Sequence, residues 1–271
     1  MSRPSKLIRR ILQSRKLGAV GSLLAGVERE EVFRFQDRLF RSAPAFDYLD
    51  LVLPALGAVR PFSVVQVGAN DGKQGDPIHR HVLAHGARAL LIETQPWLIE
   101  ALRENYAAFT GDLVVENIAI GPEHGTLTLH ILRQEFWDDY TARVGRSPTP
   151  IFSPDRAQVL RRVAPRLGLS REEAESRLDT LEVAMEPLSE VIARHGFGNP
   201  DVLQIDCEGW DVQVILSLGD CRPALINFES FNLSAEDWKT FLGWSKRNGY
   251  GFIQGRSDTL AIRGMAHRVE L

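Results

Sequence analysis

From residue 61 onward, short β-branched apolar runs alternate with segments whose apolar positions recur every three or four residues. That is the rhythm of strands and helices wound about a sheet. Phe62-Ser63-Val64-Val65-Gln66-Val67, closed by Gly68, reads as a buried parallel strand because it does not alternate. Asp76-Pro77 supplies an N-cap and a first-turn proline for a helix whose Ile78, Val82 and Leu83 face inward and which stops at Gly86. Residues 89–93 form a second strand ending in a carboxylate, 97–106 a helix, and 113–120 a third strand carrying Asn117. Residues 126–132 alternate, as an edge strand does. The rhythm then predicts helices over 188–193, 212–218 and 238–248, strands over 202–206 and 224–229, and a closing hairpin of 251–254 and 259–263.

Two stretches stand outside this pattern. Residues 1–57 read as helical: Val32, Phe35 and Leu39 share one face among charged neighbours, and 46–59 is a second helix kinked at Pro54. Residues 134–179 hold Ser147-Pro148-Thr149-Pro150 and Ser153-Pro154, followed by two short charged helices over 155–163 and 170–178. The expected organisation is a helical N-terminal appendage, 1–57, and a sheet domain, 58–271, with 134–179 inserted over one face as a substrate lid.

Composition narrows the function classes. The 271 residues are 44% hydrophobic and 25% charged, which excludes disordered and collagen-like chains. A net charge of -3 gives no overall positive field, so no nucleic-acid partner is expected. The two cysteines, Cys207 and Cys221, provide neither a disulfide framework nor zinc spacing, and a reducing cytoplasm is the expected location. Residues 17–27, interrupted by Gly18, Gly21 and Gly26, are too short to span a bilayer. Arg3, Lys6, Arg9, Arg10, Arg15 and Lys16 precede them with no acidic residue before position 28. This basic helical pattern suits a peripheral contact with a protein or an anionic membrane.

Ligands of open α/β sheets bind beyond the carboxyl ends of the strands. Here those ends carry Gly68-Ala69-Asn70-Asp71-Gly72, Glu93, Asn117, Asp206-Cys207-Glu208-Gly209 and Glu229, an acidic set. Glu93 lies 25 positions after Gly68, near the spacing at which a carboxylate accepts ribose hydroxyls, so a nucleoside-containing cofactor is expected. A dinucleotide's pyrophosphate asks for G-x-G-x-x-G, which is absent, and Asp71 and Asp76 would repel it. S-adenosylmethionine has no phosphate and brings an ammonium and a sulfonium, which suit an acidic loop. No Walker lysine is present, because Lys73 lies outside any G-K-[ST] context.

Val67-Gly68-Ala69-Asn70-Asp71-Gly72, Ile92-Glu93-x-x-Pro96, Asn105-Tyr106, Glu116-Asn117-Ile118-Ala119-Ile120, the block from Asp201 to Gly209 and Ile226-Asn227-Phe228-Glu229 together resemble the successive motifs of the FkbM-type S-adenosylmethionine-dependent methyltransferases. The likeness runs from about residue 60 to 263, and its most specific part is the aspartate-x-glutamate-glycine block after an aliphatic strand. It implies a Rossmann-like class I methyltransferase sheet of seven strands, the last antiparallel. It also implies O-methylation of a hydroxyl on a sugar, glycolipid or secondary metabolite. Carried over residue by residue, it implies that Gly68, Asn70 and Asp71 hold the methionine end, Glu93 the ribose, and Asn117 with Ile118 the adenine. Ala69, Asp76 and Thr94 stand beside them as cofactor contacts, and Asp206 lies near the methionine moiety or the reacting centre. Residues 1–57 and 134–179 have no counterpart, so acceptor choice is expected to reside there.

A hydroxyl acceptor needs a base within hydrogen-bond reach. The candidates are Asp206, Glu208 and Glu229, with Glu208 favoured and Asp206 positioning cofactor or acceptor. An arginine from the insertion is an alternative partner for Glu229. The three carboxylates have the chemistry to hold a hard cation such as Mg²⁺, but serving a cationic cofactor is the preferred reading, so no metal is assigned. His81 and His85 share a helix face without a third ligand and read as a core-edge surface, while His130 and His195 stand isolated. Trp97, Trp137, Tyr140, Trp210 and Phe231 read as core or lid packing, with Trp137 and Tyr140 the two candidates for acceptor contact. The competing functions are an NAD-dependent oxidoreductase and a non-catalytic cofactor-binding scaffold.

Overall fold

A computed structural model describes residues 48–255 and 257–265. The apolar helix around Val32, Phe35 and Leu39 and the basic segment 3–16 lie outside the described residues.

Seven strands form one sheet in the order β3-β2-β1-β7-β8-β10-β9. They are β1 (Phe62–Val67), β2 (Gly86–Ile92), β3 (Asp112–Glu116), β7 (Val202–Ile205), β8 (Leu225–Glu229), β9 (Tyr250–Gln254) and β10 (Asp258–Arg263). All neighbours are parallel except β10, which runs antiparallel to both β8 and β9. The central strands are buried on both faces, which explains their continuous apolar runs. Val65, Val67, Leu203, Ile205 and Phe228 belong to one apolar cluster with the helices Leu188–Arg194, Asp211–Leu216 and Ala235–Asn248. Phe62, Val64, Val202 and Leu225 belong to a second cluster with Leu49 and Leu53 of the helix Leu49–Val59, so packing on the sheet begins before residue 58. Pro54 lies inside that helix, as expected.

The chain builds outward from β1 through β2 to β3 and then returns to place β7 on β1's other side. Strand order therefore reverses between β1 and β7, and a crevice opens beyond their carboxyl ends.

A second sheet of three strands was only partly legible. The run 113–120 is not one strand: β3 ends at Glu116, and β4 (Ala119–Ile120) crosses to pair with Met185 and Glu186 of β6 (Leu178–Glu186). The break occurs where Asn117 turns its amide onto the Glu93 carbonyl, at 2.8 Å. β5 (Gly125–Leu132) is the edge strand expected there, antiparallel to β6. The rest of β6 escaped the sequence pattern because only Val183 along it is buried while Asp179 and Glu182 remain beside it. The charged helices of 134–179 appear as Arg156–Leu167, capped by Asp155, and Arg171–Glu175, capped by Ser170 and Glu173. An unforeseen helix, Trp137–Val144, ends at Gly145 in the left-handed region. These helices bury Tyr140, Val159 and Val163 against Leu129, Ile131 and Val183 of the small sheet.

Candidate active site

Two strand ends meet at the crevice. Gly68 has φ +79°, and a Cβ there would lie 1.9 Å from the Asp206 carbonyl oxygen, so only glycine allows β1 and β7 to come this close. Asn70 and Glu208 are the two non-glycine residues with positive φ among those described, at 50° and 52°, and they follow these same two strands. Such conformations cost free energy and persist where surrounding contacts fix them, as at ligand sites.

The first loop is organised around Glu93. Its Oε2 accepts the Asn70 N–H at 2.7 Å, and its Oε1 accepts the Gln95 N–H at 2.9 Å and the Thr94 hydroxyl at 3.2 Å. The Gln95 side chain also bonds to this carboxylate, so Glu93 is well supplied with donors. Burial pushes the Glu93 pKa upward against the effect of those bonds.

Gly68, Asn70, Glu93, Thr94, Ile118 and Asp206 all line the crevice, whose mouth is open to solvent. Ala69, Asp71, Asp76, Asn117 and Glu229 do not line it, although Glu229 stands beside Asp206 and Glu208, which do. The Ala69 N–H donates to the Ile92 carbonyl. Asp71 Oδ1 accepts the N–H groups of Lys73 and Gln74, and the Asp71 carbonyl accepts from Asn105. The helix His79–His85 has Ile78 rather than Asp76 as its N-cap; Asp76 lies just ahead of it, accepting the Ile78 and His79 N–H groups and Gln66 Nε2, with its pKa raised by burial. Asn117 acts through the Glu93 carbonyl. The acidity that counts at the crevice therefore comes from Asp206 and Glu208 rather than from Asp71 and Asp76.

The crevice is amphipathic. Ile118, Ile120, Leu127 and Leu129 supply an apolar lining, the last three from the small sheet, whereas Asp206 and Glu208 supply an acidic one. Thr149, Pro150, Phe152 and Pro154 bring the insertion into the wall. Gln95 Nε2 donates to the Thr149 carbonyl, and Trp210 Nε1 to the Ile120 carbonyl, which ties the walls together.

The carboxylate oxygens of Asp206, Glu208 and Glu229 lie within 4.8 Å of one another. Asp206 is exposed toward the crevice, yet enough protein surrounds it that burial, then repulsion from Glu229, raises its pKa well above the ordinary range. Glu229 is pushed up to about 7, first by burial and then by Glu208, while an Asn232 bond at 2.6 Å opposes the rise. Glu208, not Glu229, holds the arginine: Arg162 Nη2 lies 2.6 Å from its Oε2. Asp211, which the sequence did not single out, is fully buried directly behind this group. Burial, then Glu229, pushes its pKa up to about 8.

The aromatic residues correct the expected acceptor contacts. Tyr140 is completely buried and its hydroxyl accepts from Arg166. Trp137 packs edge-on against Trp97 and donates to the Leu132 carbonyl, so both are core groups of the insertion. Phe231, read as packing, is 76% exposed beside Asn232. His81 is buried and bonded to Asp50, and His195 is bonded to Glu116, and neither lines the crevice.

A seven-stranded sheet with one reversed strand and a ligand crevice at its order reversal defines the class I methyltransferase fold. The sequence matches the methyltransferase FkbM domain over residues 66–252, and the chain belongs to that family. No curated protein matches it. Among solved structures, it is similar to methyltransferase FkbM from Methylobacillus flagellatus KT, with 12% identity and a TM-score of 0.42 over 74% of this chain and 43% of that one. The chain thus spans less than half of that relative. A methyltransferase from Geobacter sulfurreducens aligns over 91% of this chain and 96% of its own, with 13% identity and a TM-score of 0.39. M. capricolum TrmK in complex with S-adenosyl-homocysteine aligns over 81% and 68%, with 10% identity and a TM-score of 0.36.

Proposed function

We propose that this chain is an S-adenosylmethionine-dependent O-methyltransferase acting on a hydroxyl of a sugar, glycolipid or secondary metabolite. The observation that carries this is one crevice lined by Gly68, Asn70, Glu93, Ile118 and Asp206, which follow the ends of four different strands. The donor set fits the cofactor. Glu93 lines the crevice with a carboxylate suited to a ribose hydroxyl, Ile118 and Ile120 offer an apolar surface to adenine, and Asp206 has an acidic group for an ammonium.

When bound, the cofactor supplies an electrophilic methyl group on a sulfonium. The chain's own work is to hold the acceptor oxygen in line, which can supply most of the acceleration, and to remove its proton. Among the three candidate carboxylates, Glu229 suits the base: its pKa of about 7 lets it accept a proton near neutrality. Glu208, held by Arg162, orients the acceptor, while Asp206 serves the cofactor side. The insertion, 134–179, forms the acceptor-side wall through Thr149, Phe152 and Pro154 and acts as the lid. Asp71, Asp76, Ala69 and Asn117 support the cofactor residues from behind.

The same reading includes a cytoplasmic location, a small-molecule or glycan acceptor, and a peripheral contact with a protein or an anionic membrane through the basic segment 3–16. Among the described residues, no helix is long and apolar enough to cross a membrane. The testing experiment is a screen of hydroxylated acceptors with radiolabelled S-adenosylmethionine. Transfer of label to oxygen, lost in Glu229→Gln, is the expected result, and transfer only to amines overturns the O-methyltransferase assignment.

A further inference from the structure

Three carboxylates from two strand ends, with oxygens within 4.8 Å of one another, have the composition and spacing of a divalent-cation site. The structure brings a cation of its own to them. Arg162 reaches from the helix Arg156–Leu167 to place Nη2 2.6 Å from Glu208 Oε2, and Glu229 and Asp206 add to the field that stabilises its charge. Arg162 is only 22% exposed and Glu208 16%, so solvent screens the pair less than at an open surface.

The helix is built for this contact. Asp155 caps its start through the N–H groups of Ala157 and Gln158, and Gln158 lies one turn before Arg162 on the same face. Gln158 Nε2 donates to the Glu208 carbonyl at 3.0 Å and to Glu208 Oε2 at 3.2 Å. The Ser153 hydroxyl donates to the same carbonyl at 3.0 Å. Three side chains of the insertion thus hold one residue whose φ is 52°, a conformation that needs such support. Asn232 completes the arrangement by bonding both Glu208 and Glu229.

We infer that Arg162 is a positioning residue that serves as the built-in counter-cation of the Asp206–Glu208–Glu229 group, taking the place that a divalent metal would otherwise fill. A guanidinium bonded to one carboxylate and within the field of two others offsets their mutual repulsion, and its positive charge repels an incoming divalent ion. Its planar fork of donors also fixes Glu208 in orientation, which a hydrated metal ion would not do in the same way. The insertion therefore contributes charge to the reaction centre as well as a wall. This inference rests on the reading of the three carboxylates as the acceptor side of the crevice, and S-adenosylhomocysteine binding reports on that reading separately.

The test is a titration of the full chain with Mn²⁺, followed by the electron paramagnetic resonance signal of the free ion. Wild type, Arg162→Gln, Arg162→Lys and Arg162→Gln/Glu229→Gln are compared, with circular dichroism as a fold control. The wild type and Arg162→Lys should show no saturable binding up to about 1 mM, the range of weak sites. Arg162→Gln, which removes the charge but keeps a hydrogen-bonding side chain, should bind one Mn²⁺ about tenfold or more tightly than wild type, and the double variant should lose it again. Saturable binding by wild type that disappears in Glu208→Gln overturns the inference, because the group would then be a metal site despite Arg162. Folded Arg162→Gln that binds no better than wild type overturns it as well. Failure of wild type to bind S-adenosylhomocysteine, with the Mn²⁺ pattern as expected, overturns only the cofactor reading.

Discussion

The α-carbon of Gly68 faces the carbonyl oxygen of Asp206 so closely that an added methyl group would sit 1.9 Å from it. The two strands bearing the cofactor and acceptor sides are locked together by this approach, and the offending atom is backbone, which cannot swing aside. Gly68→Ala should destabilise the protein by about 3 kcal/mol or more, combining the clash with the strain of φ +79°. Denaturant unfolding of both proteins measures this, and a change below about 1 kcal/mol would show that the strand ends relax independently.

Glu93 binds the loop as well as facing the crevice. Glu93→Ala should weaken S-adenosylhomocysteine binding about 10- to 100-fold, because a ribose acceptor is lost and the buried N–H groups of Asn70 and Gln95 are left without partners. Glu93→Gln should fall between the two. Calorimetric titration of the three proteins checks the order.

With a hydroxylated acceptor, kcat/KM should rise with pH through a midpoint at about 7 and then level off. Glu229 is held protonated at lower pH by burial and by Glu208, so the base form appears only as pH increases. Glu229→Gln should lower kcat about 10²- to 10⁴-fold and remove this limb. A variant with the same low-pH limb and reduced rate would assign the titration to another group.

Asp211 gives the opposite dependence in stability. Its folded-state pKa of about 8 lies above the ordinary value of 3.8, so the folded state binds the extra proton between those values. The associated stability is present at acidic pH and is lost as pH rises through about 8. One oxygen accepts the Gly209 N–H while the other is buried without a partner, so an ionised carboxylate there is poorly compensated. Wild type should melt on the order of 5 °C lower at pH 9 than at pH 6, and Asp211→Asn should lose most of that difference. Equal pH dependence in the two proteins would locate the buried proton elsewhere.

The large sheet was legible because buried parallel strands are largely apolar, and β1, β2, β7 and β8 are so apart from Gln66, Gln204 and Asn227. Of the small sheet only β5 was legible: β6 buries only Val183, and β4 is two residues long, so neither leaves a periodic trace. Strand-end glycines and carboxylates pointed to the crevice, but their individual duties depend on where each side chain turns. Asp71 and Asp76 look like Glu93 in sequence, yet their carboxylates meet local N–H groups, which no spacing rule separates from ligand contacts. An arginine from the insertion was expected beside the carboxylates, but nothing marked Arg162 as the one or Glu208 as its partner. One arginine among several on a charged helix becomes distinct only when the fold sets it against Glu208, 46 positions away.

The most direct measurement is calorimetric titration of the full chain with S-adenosylhomocysteine and, separately, with NAD⁺. Micromolar binding of S-adenosylhomocysteine alone, weakened in Glu93→Ala, is the result expected of a methyltransferase crevice built on Gly68, Glu93 and Asp206. Binding of NAD⁺ instead, or of neither, would contradict it.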